Sequence, residues 1–298
     1  MPELPEVETV RRSLEPHLVG RTIVRAVLHR RDVLVVPGDP IGGFGRQRPD
    51  SRATRPPKQA RRAHLLESAR IEALGRHGKE LAILASDGRV LLAQLGMTGR
   101  FVANRPGRRA RIPDHTHATW TTDDGTRIRF VDPRRFGGLW AIHRDELEAR
   151  WARLGPDALT IDPADLHDRL KRSRRSLKAA LLDQRVLAGV GNIYADESCF
   201  LAHLDPHRPT NLLRPSETRA LAEAVRRVLA SSLERGGSTL RDHADAAGVA
   251  GSYQADHAVY GRGGQPCLEC GSPLDTGRLA QRATVWCRTC QGDAPAGS

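Results

Sequence analysis

The residues most able to do chemistry stand at the start of the chain, where Pro2-Glu3 sets an amine beside a carboxylate. Removal of Met1, favoured before a small residue such as proline, exposes a secondary α-amine. An α-amino group titrates near ~7.7–8 and a lysine near ~10.4, so at neutral pH the terminal amine is neutral, hence nucleophilic, far more of the time. Such an amine attacking C1′ of a sugar gives an iminium (a Schiff base). That electron sink acidifies C2′ and permits β-elimination of the 3′ phosphate. Glu3 could protonate the ring oxygen or shuttle protons, and Glu6 lies close enough along a helix to act as a second acid or simply as a solvated carboxylate. The same residues are also ordinary helix-opening signals, with Pro at the first helical position and Glu in the first turn. By themselves they do not establish catalysis.

A second constellation lies near the other end. Cys267-x2-Cys270 and Cys287-x2-Cys290 are two chelating pairs, with residues 271–286 between them. That spacing suits a tetrahedral Zn²⁺ held by four thiolates, and the lack of an open position makes the site structural rather than catalytic. Two disulfides or free thiols are the competing reading. The intervening segment is expected to form a hairpin carrying Arg282, whose guanidinium could reach a phosphate. Cys199, alone in an apolar stretch, reads as core.

Composition limits the partners. The 47 Lys+Arg against 35 Asp+Glu give a formal charge of +12, which favours a polyanion through phosphate contacts and counterion release. It does not choose among DNA, RNA and an anionic membrane. Only Lys58, Lys79, Lys171 and Lys178 are lysines, a bias toward arginine that belongs to composition rather than to function. No apolar run approaches the ~18–20 residues that span a bilayer, and the acidic opening has no signal-peptide core. The expectation is an intracellular, cytoplasmic monomer.

The elements that must position these residues fall into two kinds. Leu4, Val7, Val10, Leu14 and Leu18 recur at helical spacing, with Gly20 as a stop. Strand-like runs follow at 22–28, 32–36, 69–74, 81–85, 90–95, 118–122, 127–131 and 139–143, separated by turn signals such as Ser86-Asp-Gly and Asp123-Asp-Gly. Pro37–Lys58, rich in Gly, Pro and Arg, reads as a flexible insertion. From Asp165 the periodicity is helical, over 166–170, 177–187, 193–202 and 216–234, the last with Ser216 as its N-cap.

Six segments, taken in order, resemble the formamidopyrimidine-DNA glycosylase family: MPELPEVETVRRSLEPHLVG, LGMTGRF (95–101), DPRRFGG (132–138), LLDQRVLAGVGNIYADE (181–197), AVYGRGGQPC (258–267) and AQRATVWCRTCQ (280–291). The resemblance covers nearly the whole chain. It implies an α+β multidomain fold: an N-terminal β-sandwich with flanking helices over 1–155, a helix-two-turn-helix domain over 156–255, a β-hairpin zinc finger over 256–291 and a disordered tail over 292–298. Double-stranded damaged DNA would be the partner and one structural Zn²⁺ the cofactor. The activity implied is excision of oxidised purines followed by abasic-site strand cleavage. In these roles Pro2 is the nucleophile and Glu3 the proton donor. Lys79 transfers protons in β-elimination, and Arg282 grips phosphate and assists δ-elimination. Met97, Arg134 and Phe136 would fill the space left by the extruded nucleotide, where an apolar wedge, a planar cation and a ring suit the task. His115, Lys178 and Asn192 would contact the DNA backbone, the last helped by N–H groups of a helix start.

Two features depart from the family pattern: the long Pro37–Lys58 insertion, and Gln94 where the family usually has His before LGM. The resemblance leaves endonuclease VIII, selective for oxidised pyrimidines, as a sister alternative; the opening PELPEVETV and the 239–260 capping loop favour the purine branch. A non-catalytic DNA-binding zinc protein fits the composition and the cysteines equally well, but does not need Pro2, Glu3 and Lys79 in one chain.

Overall fold

The computed structural model describes residues 2–36, 62–107, 111–238 and 245–292. The Pro37–Lys58 insertion, residues 239–244 of the capping loop and residues 293–298 of the expected tail lie outside the described residues. The chain forms two compact units, Met1–Pro2 with Glu6–Ala152 and Ser238–Gly251, and Glu3–Pro5 with Arg153–Gly237 and Ser252–Ser298. Among the described residues no helix is long and apolar enough to cross a membrane.

The first unit is a β-sandwich. Helix α1 (Leu4–Leu18) sends Val7, Val10, Leu14 and Leu18 into its core, as their spacing predicts. Strands β1 (Ile23–Leu28), β7 (Thr116–Thr122), β8 (Arg127–Val131) and β6 (Arg100–Asn104) form one antiparallel sheet in the order β1-β7-β8-β6. The other has the order β2-β9-β5-β4-β3, from β2 (Leu34–Val35), β9 (Gly138–His143), β5 (Arg89–Gln94), β4 (Glu80–Ala85) and β3 (Ile71–His77). The β2–β9 pair is parallel and the remaining pairs are antiparallel.

Helix α2 (Arg144–Trp151) and strand β6 were not legible in the residue pattern. The helix explains why β4 and β5 look almost uniformly apolar. Leu81, Ile83 and Ala85 with Leu91 and Ala93 face the main core, whereas Ala82, Val90 and Leu92 form a second small core with Leu147, flanked by Leu84 and Trp151. A sheet covered on both faces loses the period-2 alternation of a half-exposed one.

The second unit contains helices α3 (Pro163–Leu170), α4 (Leu177–Leu181), α5 (Asn192–Leu201) and α6 (Pro215–Glu234). A hairpin of β10 (Asp275–Leu279) and β11 (Arg282–Trp286) precedes the short α7 (Arg288–Gln291). The expected helix 177–187 stops at Leu181. Beyond it, Gln184 donates to the carbonyls of Leu182 (3.0 Å) and Val190 (2.9 Å) and accepts from Gly189 N–H (2.9 Å), giving the backbone a loop-shaped alternative. Helix α6 begins at Pro215 rather than after a Ser216 cap, because proline suits the first helical position and Glu217 accepts the Arg214 N–H at 2.7 Å.

One buried acid ties α1 to β3. Glu8 accepts from Arg11 Nε (3.0 Å), Arg12 Nε (2.8 Å) and Arg76 Nε (3.0 Å). Burial opposes ionisation, but hydrogen bonds from Arg11 and Arg12 and the charges of Arg11 and Arg76 prevail, holding the carboxyl at about 2 rather than its ordinary 4.5. A depressed folded-state value means that Glu8 adds stability above pH 4.5 that is lost as the pH falls toward 2. Glu8→Gln should therefore lower the unfolding free energy at neutral pH by about 3 kcal/mol and flatten the acid limb of the stability curve. Urea titrations at pH 7 and pH 3 would check both.

Candidate functional site

Pro2 is buried in the first unit. Glu3, only 3 % exposed, places its carboxylate at the start of α5. It accepts the N–H groups of Gly191 (2.6 Å) and Ile193 (2.9 Å), with Tyr194 N–H farther off at 3.5 Å. Next to it, Leu4 N–H donates to Gly189 O at 3.1 Å. The glycines of the GVGN segment make this seat possible: a Cβ on Gly191 would lie 2.4 Å from Glu3 Cδ, and one on Gly189 2.4 Å from Leu4 Cδ1. Free N–H groups and the positive end of a helix favour an anion. The anion here is the chain's own Glu3, so the N–H donors expected to serve a phosphate beside Asn192 are already engaged. The Asn192 side chain lies against the Tyr260 phenol. Glu6, considered as a second acid, instead accepts Ser238 N–H at 2.8 Å.

Lys79 sits half-buried in the two-residue turn between β3 and β4, after Gly78. The neighbouring Glu80 is buried and gives Gln94 a purpose. Its carboxylate accepts from Gln94 Nε2 (2.7 Å), Arg150 Nη2 (2.7 Å) and Trp151 Nε1 (3.1 Å), so the glutamine in place of histidine is part of a satisfied internal network.

Met97 and Phe136 are 44 % and 41 % exposed, so neither belongs to the core. The Arg134 guanidinium carbon stands 4.9 Å from the centre of the Phe136 ring, so cation and ring stack as one surface. His115 is exposed with a left-handed backbone (φ 64°), and its carbonyl accepts Asp132 N–H at 3.1 Å.

Lys178 differs from expectation. It has no exposed surface, and its ammonium lies 2.7 Å from Asp196 Oδ1, 2.6 Å from Ala283 O and 2.9 Å from Thr284 Oγ1. Three N–H donors meet three protein acceptors, so in this structure the residue is an internal strut joining α4, α5 and β11 rather than a surface contact for a phosphate. Burial disfavours both charges of the pair, pushing Lys178 down and Asp196 up to about 7. Asp196 Oδ2 also accepts Val285 N–H at 3.2 Å. The adjacent Glu197 accepts N–H groups of Ala258 (2.9 Å), Val259 (3.0 Å) and Tyr260 (2.7 Å). No role was assigned to Asp196 or Glu197 from sequence; two acids in the otherwise apolar NIYADESCFL helix were the available signal.

Arg282 is exposed at the first position of β11, paired with Leu279 across a two-residue turn. Ala280 and Gln281 in that turn both have positive φ (47° and 61°), the geometry that matches the twist of a tight hairpin. Below it the four cysteine sulfurs lie within 4.8 Å of one another. Cys267 and Cys290 sulfurs are 3.8 Å apart and those of Cys270 and Cys287 3.4 Å, too far for disulfides, whose S–S length is ~2.05 Å. A tetrahedral ion with ~2.3 Å metal–sulfur bonds needs edges of ~3.8 Å. The four cysteines are therefore placed to hold a metal ion.

A two-sheet sandwich, a helical unit and a four-cysteine hairpin define a class of two-unit α+β proteins. Family models described as the formamidopyrimidine-DNA glycosylase N-terminal domain and H2TH domain match residues 1–139 and 154–244. The formamidopyrimidine-DNA glycosylase of Thermus thermophilus is 42 % identical over 301 residues, covering 99 % of this chain and 100 % of that one. That of Neisseria meningitidis is 38 % identical over 296 residues, covering 98 % and 100 %. The crystal structure of the Thermus thermophilus MutM (Fpg) protein superposes with a TM-score of 0.79 at 41 % identity, over 99 % of this chain and 100 % of that one. A Lactococcus lactis Fpg in complex with abasic-site DNA gives 0.82 at 29 % identity, over 98 % and 100 %. The chain belongs to the formamidopyrimidine-DNA glycosylase family.

Lys178→Met should destabilise the second unit by about 3–5 kcal/mol, because Asp196 is left buried without its cation. Adding Asp196→Leu should restore part of that loss. Urea unfolding of the single and double variants would measure the coupling.

Proposed function

We propose that this chain is a bifunctional DNA glycosylase and AP lyase of base excision repair, acting on oxidised purines through a Schiff base at Pro2. The observation that carries the reading is the anchoring of Glu3. Glu3 holds its carboxylate on backbone N–H groups of α5, and Pro2 is buried. A helix opening alone does not require such a seat.

In this reading Met1 is removed and the neutral Pro2 amine attacks C1′ of the damaged nucleotide. The C1′–N bond breaks and the base departs as an anion that takes a proton from solvent. Glu3 takes the proton released by the amine and delivers it to the ring oxygen as the sugar opens, leaving the iminium. Lys79 on its hairpin tip removes the C2′ proton, the 3′ phosphate leaves, and a second elimination releases the 5′ phosphate with Arg282 on the departing oxygen. Met97, Arg134 and Phe136 occupy the gap left by the extruded nucleotide, and exposed His115 and half-buried Asn192 meet the DNA backbone. The helical residues 156–255 and the finger 256–291 serve as the DNA-gripping parts. Zn²⁺ on Cys267, Cys270, Cys287 and Cys290 would shape the hairpin and take no part in the reaction.

Support for the purine branch comes from two structural neighbours, Lactococcus lactis Fpg proteins solved with DNA containing Fapy-dG or its N7-benzyl derivative. The test is borohydride trapping. An 8-oxoguanine duplex should give a covalent adduct that weakens in Pro2→Gly and disappears when an N-terminal extension blocks the amine. Absence of adduct with any damaged or abasic duplex would sink the enzyme reading, and stronger trapping on thymine glycol would transfer the chain to the pyrimidine branch.

The metal makes a separate prediction. Atomic absorption should find one zinc per chain, and stripping it with a chelator should weaken duplex binding by about tenfold or more as the hairpin loses its shape.

A further inference from the structure

The residues of the wedge lie on two connections that the sheet topology forces together. Residues 95–99 join β5 to β6, leaving one sheet for the other, and residues 132–137 return from β8 to β9. Strand β5 pairs with β9, ending at Gln94 opposite Gly138, while β6 pairs with β8, beginning at Arg100 opposite Val131. The two crossings therefore run side by side between the same sheet ends.

A buried carboxylate is threaded between them. Asp132 has no exposed surface and Thr98 is 6 % exposed. Thr98 Oγ1 donates to Asp132 Oδ1 at 2.5 Å, and Gly137 N–H donates to Asp132 Oδ2 at 2.7 Å. The Thr98 oxygen in turn accepts Arg134 N–H at 3.1 Å, and His117 Nε2 donates to the Asp132 carbonyl at 2.8 Å. The backbones meet closely: a Cβ on Gly96, whose φ is +63°, would stand 2.3 Å from both Gly137 N and Phe136 C. Each exposed wedge residue is thus held by a clamp bond at itself or its neighbour. Met97 precedes Thr98, Arg134 is fixed by its own N–H, and Phe136 precedes Gly137.

Resting on the glycosylase reading above, we propose that Asp132, acting through the Thr98 hydroxyl, is a positioning residue that locks the two loops in one register, so that Met97, Arg134 and Phe136 enter the duplex as one rigid body. Entry must offset the few kcal/mol of stacking and pairing lost when a nucleotide is extruded. Side chains on loops ordered beforehand spend none of their contact energy on ordering the backbone. The polarity of the clamp is specific. A carboxylate only accepts, which suits both the hydroxyl and the Gly137 N–H, whereas an amide would set a donor against one of them.

The test compares Thr98→Val, Asp132→Asn and the conservative Thr98→Ser on two substrates. In an 8-oxoguanine duplex with 2-aminopurine beside the orphaned base, wedge entry is read as a fluorescence change and excision as kcat/KM. A single-stranded abasic oligonucleotide, which has no stack to open, is read by borohydride trapping at Pro2. Thr98→Val and Asp132→Asn should lose the fluorescence phase and about tenfold or more of duplex kcat/KM, the scale of one buried group left unpaired. Their trapping on the single strand should stay within about twofold of the unaltered chain, and Thr98→Ser should retain both activities. Should Asp132→Asn fail to fold, Thr98→Val carries the comparison. A folded Thr98→Val with full fluorescence change and duplex excision would overturn the proposal, as would equal losses on both substrates. An unaltered chain that traps neither substrate would instead overturn the glycosylase reading on which the proposal rests.

Discussion

A carboxylate that accepts backbone N–H groups at a helix start is the interaction on which the proposed chemistry depends. Glu3 and Gly191 are 188 residues apart in the chain, yet their hydrogen bond measures 2.6 Å. The bond joins a carboxyl group to backbone donors that a helix start leaves without partners of its own. Its precision comes from glycine, since any side chain at Gly191 would occupy the space of the carboxylate. Fixing Glu3 restrains the adjoining Pro2, the residue that the proposed reaction uses as its nucleophile.

The same device recurs in both units. Glu197 gathers three successive N–H groups ahead of the cysteine hairpin, Glu6 takes that of Ser238, and Asp132 takes that of Gly137. A buried ionised group is tolerable only when its lone pairs are filled. Each of these acids meets that condition by collecting backbone donors from loops that have no ladder to bond with. In a chain of net charge +12, the acids are used to fasten irregular backbone while much of the basic surplus faces outward. Lys178 is spent inside, joining helix α5 to the hairpin next to Arg282.

The β-sandwich contributes by topology. Two crossings between its sheets lie side by side because their flanking strands are paired, and they carry the exposed side chains of Met97 and Phe136. The covered outer face of β4 and β5 makes that sheet stiff, with apolar contacts on both sides. A rigid platform carrying exposed apolar side chains on short clamped loops suits insertion into a stack better than a mobile arm does.

Much of this was legible in the residues alone. The paired cysteines identified their own cluster, since chelation depends on short local spacing. The helical period of α1 and most strands were also readable, because local periodicity reports which face of an element is buried. Resemblance identified the family from six ordered segments. Tertiary structure alone decided what depends on stacking and on distant partners. It buried Lys178 against Asp196, occupied the α5 start with Glu3, gave Gln94 the carboxylate of Glu80 and left Met97 and Phe136 exposed. The physical reason is that composition and spacing specify what a side chain can do. Whether it meets solvent, a backbone N–H or an opposite charge is set by elements far away in the chain.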